Sequence, residues 1–129
     1  MRSGTEWRES LTDMERLNPE GYDERKLLSS LGLCARARGL VYGTPMVCEA
    51  LRAKQKPKLV VEAGGNSQNT SKRIADKCSF YGVELWQIEA DGEALAHAVG
   101  KTGRVAVVAI TDENLCRMVQ GTKKKNTIE

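Results

Sequence analysis

Short apolar runs alternate along this chain with longer stretches in which apolar positions recur every three or four residues. Residues three and four apart share one face of a helix, so the longer stretches are typical of amphipathic helices. They predict helices over Glu24–Arg38, Thr44–Lys54, Ser67–Tyr81, Asp91–Val99 and Asp112–Gln120. The short runs predict strands over Leu40–Tyr42, Lys58–Ala63, Glu84–Ile88 and Val105–Ile110. This order predicts a three-layer α/β/α sandwich with a small mixed sheet of about four strands.

Capping residues support several of these boundaries. We expect Thr44 to be the N-cap of the second helix, with Pro45 at the first helical position, where a missing N–H costs no hydrogen bond. Gly39 is expected to end the first helix, and Asp91 to cap the fourth. The run Val105–Ile110 is nearly all apolar, which predicts a strand buried on both faces.

Residues 1–23 are predicted to form a separate amphipathic helix and linker. Their helically spaced apolar residues are Trp7, Leu11, Met14 and Leu17. The pattern stops at the helix-breaking cluster Asn18-Pro19-Glu20-Gly21. This helix either packs back onto the domain or docks onto a partner protein.

Residues 24–121 form the predicted domain, and residues 122–129 a basic, flexible tail containing Lys123, Lys124 and Lys125. A chain of 129 residues is a typical size for a single domain with one core. The apolar runs are too short to cross a bilayer, and the first residues lack the order of a signal peptide. We therefore expect a cytoplasmic protein that has no contact with a membrane.

The four cysteines, Cys34, Cys48, Cys78 and Cys116, are scattered singly at apolar-periodic positions. Zinc sites need closely spaced ligand pairs, and the single histidine, His97, has no cysteine near it in sequence. We expect buried free thiols, with no disulfide, metal or other cofactor.

Net charge is unevenly distributed along the chain. The total is +3, but residues 1–23 carry three arginines against six acids, which leaves 17 basic and 11 acidic residues in the rest. Such a bias in residues 24–129 favours a polyanionic partner.

No catalytic motif is recognisable, and we expect no enzymatic activity. Gly100-Lys101-Thr102 resembles the end of a phosphate-binding P-loop, but Leu95 occupies the position of the first glycine. The segment also follows a helix and precedes a strand, which is the opposite order. The Gly64-Gly65-Asn66 turn is either an anion site or a simple strand-to-helix connection.

The order and spacing of several segments carry a family resemblance across about three quarters of the chain. These segments are GLVYGT, KPKLVVEA, DKCSFYGVELWQI, HAVGK and VAVVAITDE. Together they resemble the kink-turn-binding ribosomal protein superfamily of the L-seven-Ae and L-thirty-e type, and most of all its bacterial, ribosome-associated, YlxQ-like branch. In that superfamily the start of the second helix and the loop before the last strand together grip a kinked RNA. The resemblance places these segments at Gly43–Glu49 and Gly100–Val105.

The match to the family motif is partial. Gly43 and Thr44 match its opening glycine-threonine, whereas Pro45-Met46 replaces an asparagine-glutamate pair and Glu49 replaces a lysine. Lys101-Thr102-Gly103-Arg104 replaces an apolar isoleucine-x-valine wedge. Proline and methionine cannot make the paired hydrogen bonds that read a base edge, so we expect affinity through phosphates rather than sequence readout.

The resemblance implies a non-catalytic protein that binds structured RNA, either a kink-turn or ribosomal RNA, as a ribosome-associated factor. The residues expected to contact RNA are Gly43, Thr44, Pro45, Met46, Glu49, Arg38, Arg52, Lys101, Thr102, Arg104 and Val105. Arg38 and Arg52 are included because they are near the start of the second helix in sequence. The alternative is a protein-interaction module on the same scaffold with little or no RNA binding. That alternative would use the face of Trp7, Leu11 and Met14.

Overall fold

The computed structural model describes residues 23–122. The predicted helix within residues 1–23 and the lysines at 123–125 lie outside the described residues. The described part of the chain contains five helices, α1 Glu24–Arg36, α2 Thr44–Arg52, α3 Gln68–Tyr81, α4 Gly92–Ala98 and α5 Glu113–Gln120. Its four strands are β1 Leu40–Tyr42, β2 Leu59–Gly64, β3 Leu85–Asp91 and β4 Val107–Ile110.

The strands form one mixed sheet in the order β1-β4-β2-β3. β4 runs antiparallel to both β1 and β2, whereas β2 and β3 are parallel. Three strands therefore end, and β4 begins, at one edge of the sheet, which we call the carboxyl edge. We call the opposite edge, where β1, β2 and β3 begin, the amino edge.

Helices cover both faces of this sheet, as the sequence predicts. Leu27 and Leu31 of α1 share a buried cluster with Leu95 of α4 and Val119 of α5. The other face holds a second cluster formed by α2 and α3, with Val47, Leu51, Ile74 and Cys78. All four residues of β4 are buried between the two layers, so the prediction for this strand is confirmed.

The start of α2 differs from the prediction. Gly43, not Thr44, is the N-cap, and no side chain caps the helix there. Gly43 has φ 87° and ψ 153°, a conformation that only glycine adopts without strain. The chain therefore turns into the helix one residue earlier than Thr44, and the N-cap prediction for Thr44 is wrong.

The end of α1 also differs from the prediction. The helix stops at Arg36, and Arg38 takes the left-handed conformation, with φ 59°. The N–H of Gly39 then donates to the carbonyl of Cys34 at 2.9 Å, which closes the helix end. Gly39 serves a different purpose, because a Cβ there would overlap Cδ1 of Leu115 in α5.

Other predicted boundaries shift by a few residues. α2 stops at Arg52 instead of Lys54, β4 begins at Val107 instead of Val105, and β3 continues to Asp91. The extension of β3 accompanies a register shift between Glu62 and Gly64 of β2. The cap predicted at Asp91 is confirmed, since its carboxylate accepts a bond from the N–H of Ala94 at 2.9 Å.

All four cysteines are free and buried, as predicted. Burial raises the pKa of Cys34 and of Cys78 from 9.0 to about 11, and it also raises the pKa of Cys116. The thiols of Cys34, Cys78 and Cys116 are therefore protonated at neutral pH. Among residues 23–122, no helix has both the length and the apolar character needed to span a membrane.

Candidate nucleic-acid interface

The carboxyl edge brings together the two segments that the sequence places far apart. The N–H of Gly43 donates to the carbonyl of Val107 at 2.9 Å, which ties the start of α2 to the start of β4. In the preceding loop, Nζ of Lys101 lies 4.5 Å from the ring centroid of Tyr42. The start of α2 and Lys101 of the Gly100–Arg104 loop are therefore neighbours at the carboxyl edge.

The first turn of α2 presents backbone donors on this surface. Its opening residues have no carbonyl one turn earlier to accept their N–H groups, and no side chain caps them. Pro45 has no N–H, so the donors come from Thr44 and Met46. Together with the positive end of the helix dipole, these groups favour an anion at this point.

The loop between α4 and β4 is held at both ends by backbone hydrogen bonds. After α4, Gly100 adopts φ 77°, and the N–H of Lys101 donates to the carbonyl of Ala96 at 2.8 Å. At the other end, the N–H of Val105 donates to the carbonyl of Gly92 at 3.0 Å. Between these anchors, Lys101, Thr102, Gly103 and Arg104 are exposed.

Arg104 lies against the start of α4. A Cβ at Gly92 would be 3.4 Å from Cβ, Nε and Cζ of Arg104, so the arginine side chain passes directly over this glycine. Lys101 is likewise restrained by the face of Tyr42, a cation–π arrangement. Lys101 is therefore positioned next to the start of α2, whereas Arg104 is positioned against the start of α4.

A buried polar network behind this surface was missed by the sequence analysis. Glu62 is only 2% exposed, and its two carboxylate oxygens accept hydrogen bonds from Asn66 at 3.1 Å and Gln87 at 3.0 Å. The same Asn66 amide donates to the carbonyl of Ala106 at 3.1 Å. Asn66 thus connects the turn after β2 to the segment that leads from the loop into β4. The Gly64-Gly65-Asn66 segment is a structured connection in which the asparagine amide is already engaged.

The structure separates two predicted residues from the rest of the site. Arg38 precedes β1 and Arg52 ends α2, so both lie toward the amino edge. Eight residues separate Thr44 from Arg52, which is about 12 Å along the helix axis. Glu49 is exposed between Thr44 and Arg52, and its carboxylate lies 3.8 Å from the guanidinium group of Arg52. Arg38 is near Gly43 in sequence, but the three residues of β1 run from the amino edge to the carboxyl edge between them. The two residues therefore lie at opposite edges of the sheet.

The model of the ribosomal protein L7Ae/L30e/S12e/Gadd45 family matches residues 25–119. A protein named RNA-binding protein YlxQ from Bacillus subtilis (strain 168) is 40% identical over 83 residues, which cover 64% of this chain and 80% of that protein. The protein of the same name from Enterococcus faecium is 30% identical over 83 residues, covering 64% and 79%.

Solved structures show the same fold. A protein with unknown function from Bacillus halodurans superposes with a TM-score of 0.68 and 33% identity, covering 75% of this chain and 95% of that one. The 15.5 kD RNA-binding protein of Giardia lamblia gives a TM-score of 0.65 over 77% of this chain and 82% of its own. At 19% identity, this second likeness concerns the fold alone.

Proposed function

The chain belongs to the ribosomal protein L7Ae/L30e/S12e/Gadd45 family, and from that premise we propose that it binds structured RNA at the carboxyl edge without catalysing a reaction. Two relatives that carry the name RNA-binding protein support this proposal. The observation that carries it is that an uncapped helix start and a loop cation are neighbours: Gly43 bonds to Val107 at the start of β4, and Lys101 of the loop lies over Tyr42, the residue before Gly43.

Phosphate contacts supply the affinity in this proposal. A phosphate lies at the first turn of α2, where it accepts from the backbone N–H groups of Thr44 and Met46. Lys101 and Arg104 contact neighbouring phosphates from the loop. Their restraint by Tyr42 and Gly92 lowers the entropy lost when they bind. Binding is consequently sensitive to salt, because each neutralised phosphate releases condensed counterions.

The shape of the RNA, rather than its sequence, determines recognition. Pro45 and Met46 occupy the positions beside the bases, and neither side chain can form a bidentate hydrogen bond to a base edge. Met46 is 59% exposed and offers an apolar contact to a base or a sugar. Glu49 is exposed one turn further along α2 and repels phosphate there. A kink-turn in ribosomal RNA is the target we propose, with the ribosome as the setting and the cytoplasm as the location.

The exposed Met46 and the acid at Glu49 favour one alternative, a protein-interaction module on the same surface. An exposed methionine at the start of a helix, followed one turn later by a glutamate, favours contact with a protein surface over contact with an RNA phosphate. In that case Met46, rather than Lys101 and Arg104, determines binding.

A titration distinguishes these two functions. The full chain is titrated against a kink-turn RNA and an unkinked duplex of equal length, at roughly 50 and 200 mM salt. We expect tighter binding to the kinked RNA and a steep loss of affinity at the higher salt concentration. Equal binding to both RNAs contradicts kink-turn recognition, and no binding at low salt contradicts the RNA proposal altogether.

Two double variants localise the contact. Lys101→Ala with Arg104→Ala removes the two loop cations, and we expect the slope of log affinity against log salt to fall by about two. Lys26→Ala with Arg36→Ala removes two exposed cations from α1 and is the matched control. An unchanged slope in the loop variant would place the RNA elsewhere on the molecule.

A further inference from the structure

Phe80 is the most exposed large apolar side chain in the described part of the chain. It lies near the end of α3 with 80% of its surface accessible, whereas Met46 and Leu33 reach 59% and 48%. The neighbouring Tyr81 is half-buried, and the two rings meet edge to face at 4.8 Å between centroids. This contact restrains the Phe80 ring while most of it remains in water.

Cations surround this aromatic pair. Arg73 and Lys77 precede Phe80 by seven and three residues, so all three lie on the outer face of α3. Lys72 is also on this face, where it pairs with Asp76, the one acid of the group, at 3.4 Å. The helix face has more positive than negative charge around an exposed aromatic ring.

The loop between α2 and β2 adds further positive charge from the other side. Nζ of Lys56 lies 5.0 Å from the ring centroid of Tyr81. Lys54 and Lys58 line the same depression of about 540 Å³ that Tyr81 borders. We define the aromatic–basic patch as Lys56, Lys72, Arg73, Lys77, Phe80 and Tyr81.

The two rings of the aromatic–basic patch lie away from the carboxyl edge. α3 starts after β2 at the carboxyl edge and runs back toward the amino edge. Phe80 lies twelve residues beyond Gln68, about 18 Å along the helix axis. A ligand on the patch therefore has its own contacts, independent of the first turn of α2.

We propose that the aromatic–basic patch binds an unpaired RNA nucleotide, with its base stacked on Phe80 and its flanking phosphates on Lys56, Arg73 and Lys77. An aromatic face within a cationic surface matches the two parts of a nucleotide, because bases stack on aromatic rings and phosphates pair with lysine and arginine. The patch reads no sequence, since every base has a face that can stack. It extends the proposed RNA binding to single-stranded segments but has its own test.

The test compares two probes of equal charge with the full chain. One is a single-stranded uridine decamer, and the other is a decamer with the same ribose-phosphate backbone and no bases. We expect the wild-type chain to bind the uridine decamer more tightly than the abasic one. Phe80→Leu keeps an apolar side chain but removes the stacking face, so it should weaken uridine binding at least about fivefold and leave abasic binding unchanged.

Leu33→Ala is the matched control, because it trims an exposed apolar residue on α1. It should leave both affinities unchanged. Phe80 makes little buried contact, so thermal unfolding of Phe80→Leu should match that of the wild-type chain, which excludes misfolding.

Equal affinity for the two decamers, or no effect of Phe80→Leu, overturns the stacking proposal. Binding of a polyglutamate peptide in a Phe80-dependent manner, without binding of either decamer, overturns it in favour of a protein partner. If the kink-turn RNA fails to bind while the uridine decamer binds through Phe80, only the carboxyl-edge proposal falls. If the kink-turn RNA binds but Phe80→Leu does not weaken binding of the uridine decamer, only the proposal for the aromatic–basic patch is overturned.

Discussion

Gly43 determines how the chain enters α2, and its backbone conformation makes a sharp prediction. At φ 87° the backbone of any residue with a Cβ is strained, even though no atom lies within 4 Å of an ideal Cβ at this position. Gly43→Ala should therefore lower the free energy of unfolding by about 1–3 kcal/mol, the cost of holding such a conformation. Chemical denaturation of the purified variant measures this loss.

Thr44→Ala is the matched control for Gly43. Thr44 is the first residue of α2 and not its N-cap, so the change should alter stability by less than about 0.5 kcal/mol. A loss of about 1 kcal/mol in Thr44→Ala would instead indicate a capping hydroxyl and contradict the assignment of Gly43 as the N-cap.

Asn66 supports the candidate site from behind. Asn66→Ala leaves an oxygen of the buried Glu62 and the carbonyl of Ala106 without the amide donor. We expect a loss of about 1–3 kcal/mol in the free energy of unfolding, because buried acceptors that lose their donor incur a desolvation penalty. Amide hydrogen exchange should also become faster in the Gly100–Val105 loop.

Asn69→Ala provides the comparison for Asn66. Asn69 is exposed on α3, so its removal should change neither stability nor exchange in the loop. Equal effects from the two asparagines would mean that the Glu62–Asn66 network does not restrain the carboxyl edge.

The end of α1 offers a stabilising change. Arg38 holds φ 59°, which costs a residue with a side chain roughly 1–2 kcal/mol more than it costs glycine. Replacing Arg38 with glycine relieves this strain, but glycine is also more flexible in the unfolded chain, which offsets part of the stability gained. Arg38→Gly should therefore raise the free energy of unfolding by up to about 1 kcal/mol, as measured by urea titration.

Gly39→Ala should have the opposite effect on the same turn. Its new Cβ would overlap Cδ1 of Leu115, so the Leu115 side chain would have to leave its place against this turn, and we expect a lower free energy of unfolding. Destabilisation by Arg38→Gly, together with no effect of Gly39→Ala, would contradict both a strained backbone at Arg38 and close packing at Gly39.

The pattern of apolar positions was sufficient to predict every helix and strand between residues 24 and 120. Periodicity and caps such as Asp91 are local, so a single sequence contains them. The boundaries at Arg38 and Thr44 depended on which residue takes a positive φ and on how closely α5 approaches Gly39. Such tertiary contacts leave no local signal.

The candidate site was only partly predictable. The family resemblance indicated Gly43 and Lys101, whereas Arg38 and Arg52 were grouped with them only because they are near in sequence. Glu62 did carry a signal, since it is an acid inside the apolar run Leu59–Ala63. A buried carboxylate needs hydrogen-bond donors, which Asn66 and Gln87 supply. A search for these donors would have pointed to the turn after β2.

Two surfaces in the described part of the chain each combine several positive charges with a feature that can bind RNA. Lys101 and Arg104 lie at the carboxyl edge, and the aromatic–basic patch carries Lys56, Arg73 and Lys77 around Phe80, which lies about 18 Å along α3 from Gln68. A duplex end at the first surface and an unpaired strand at the second would fit one RNA whose helix is interrupted. The basic bias of the domain therefore matches a partner with both paired and unpaired segments.

The buried thiols in the two core layers should make the protein less stable at high pH. Burial raises the pKa of Cys34 in one layer and of Cys78 in the other from 9.0 to about 11. The folded state therefore holds these protons more tightly than the unfolded chain, and the resulting stability is fully present below pH 9. As pH rises from 9 toward 11 the unfolded chain loses the protons first, so the free energy of unfolding should fall. Denaturation midpoints at pH 8, 9, 10 and 11 measure this fall.

Cys34→Ala with Cys78→Ala separates the thiols from other groups that titrate in this range. The double variant should be less stable at pH 8, because each change leaves a small cavity in one layer. Its stability should nevertheless decline less steeply between pH 9 and 11, since lysines and tyrosines titrate in both chains and cancel in the comparison. Parallel curves for the two chains would show that the buried thiols do not link stability to pH. Convergence of the curves toward pH 11 would show that the two buried thiols link the free energy of unfolding to pH.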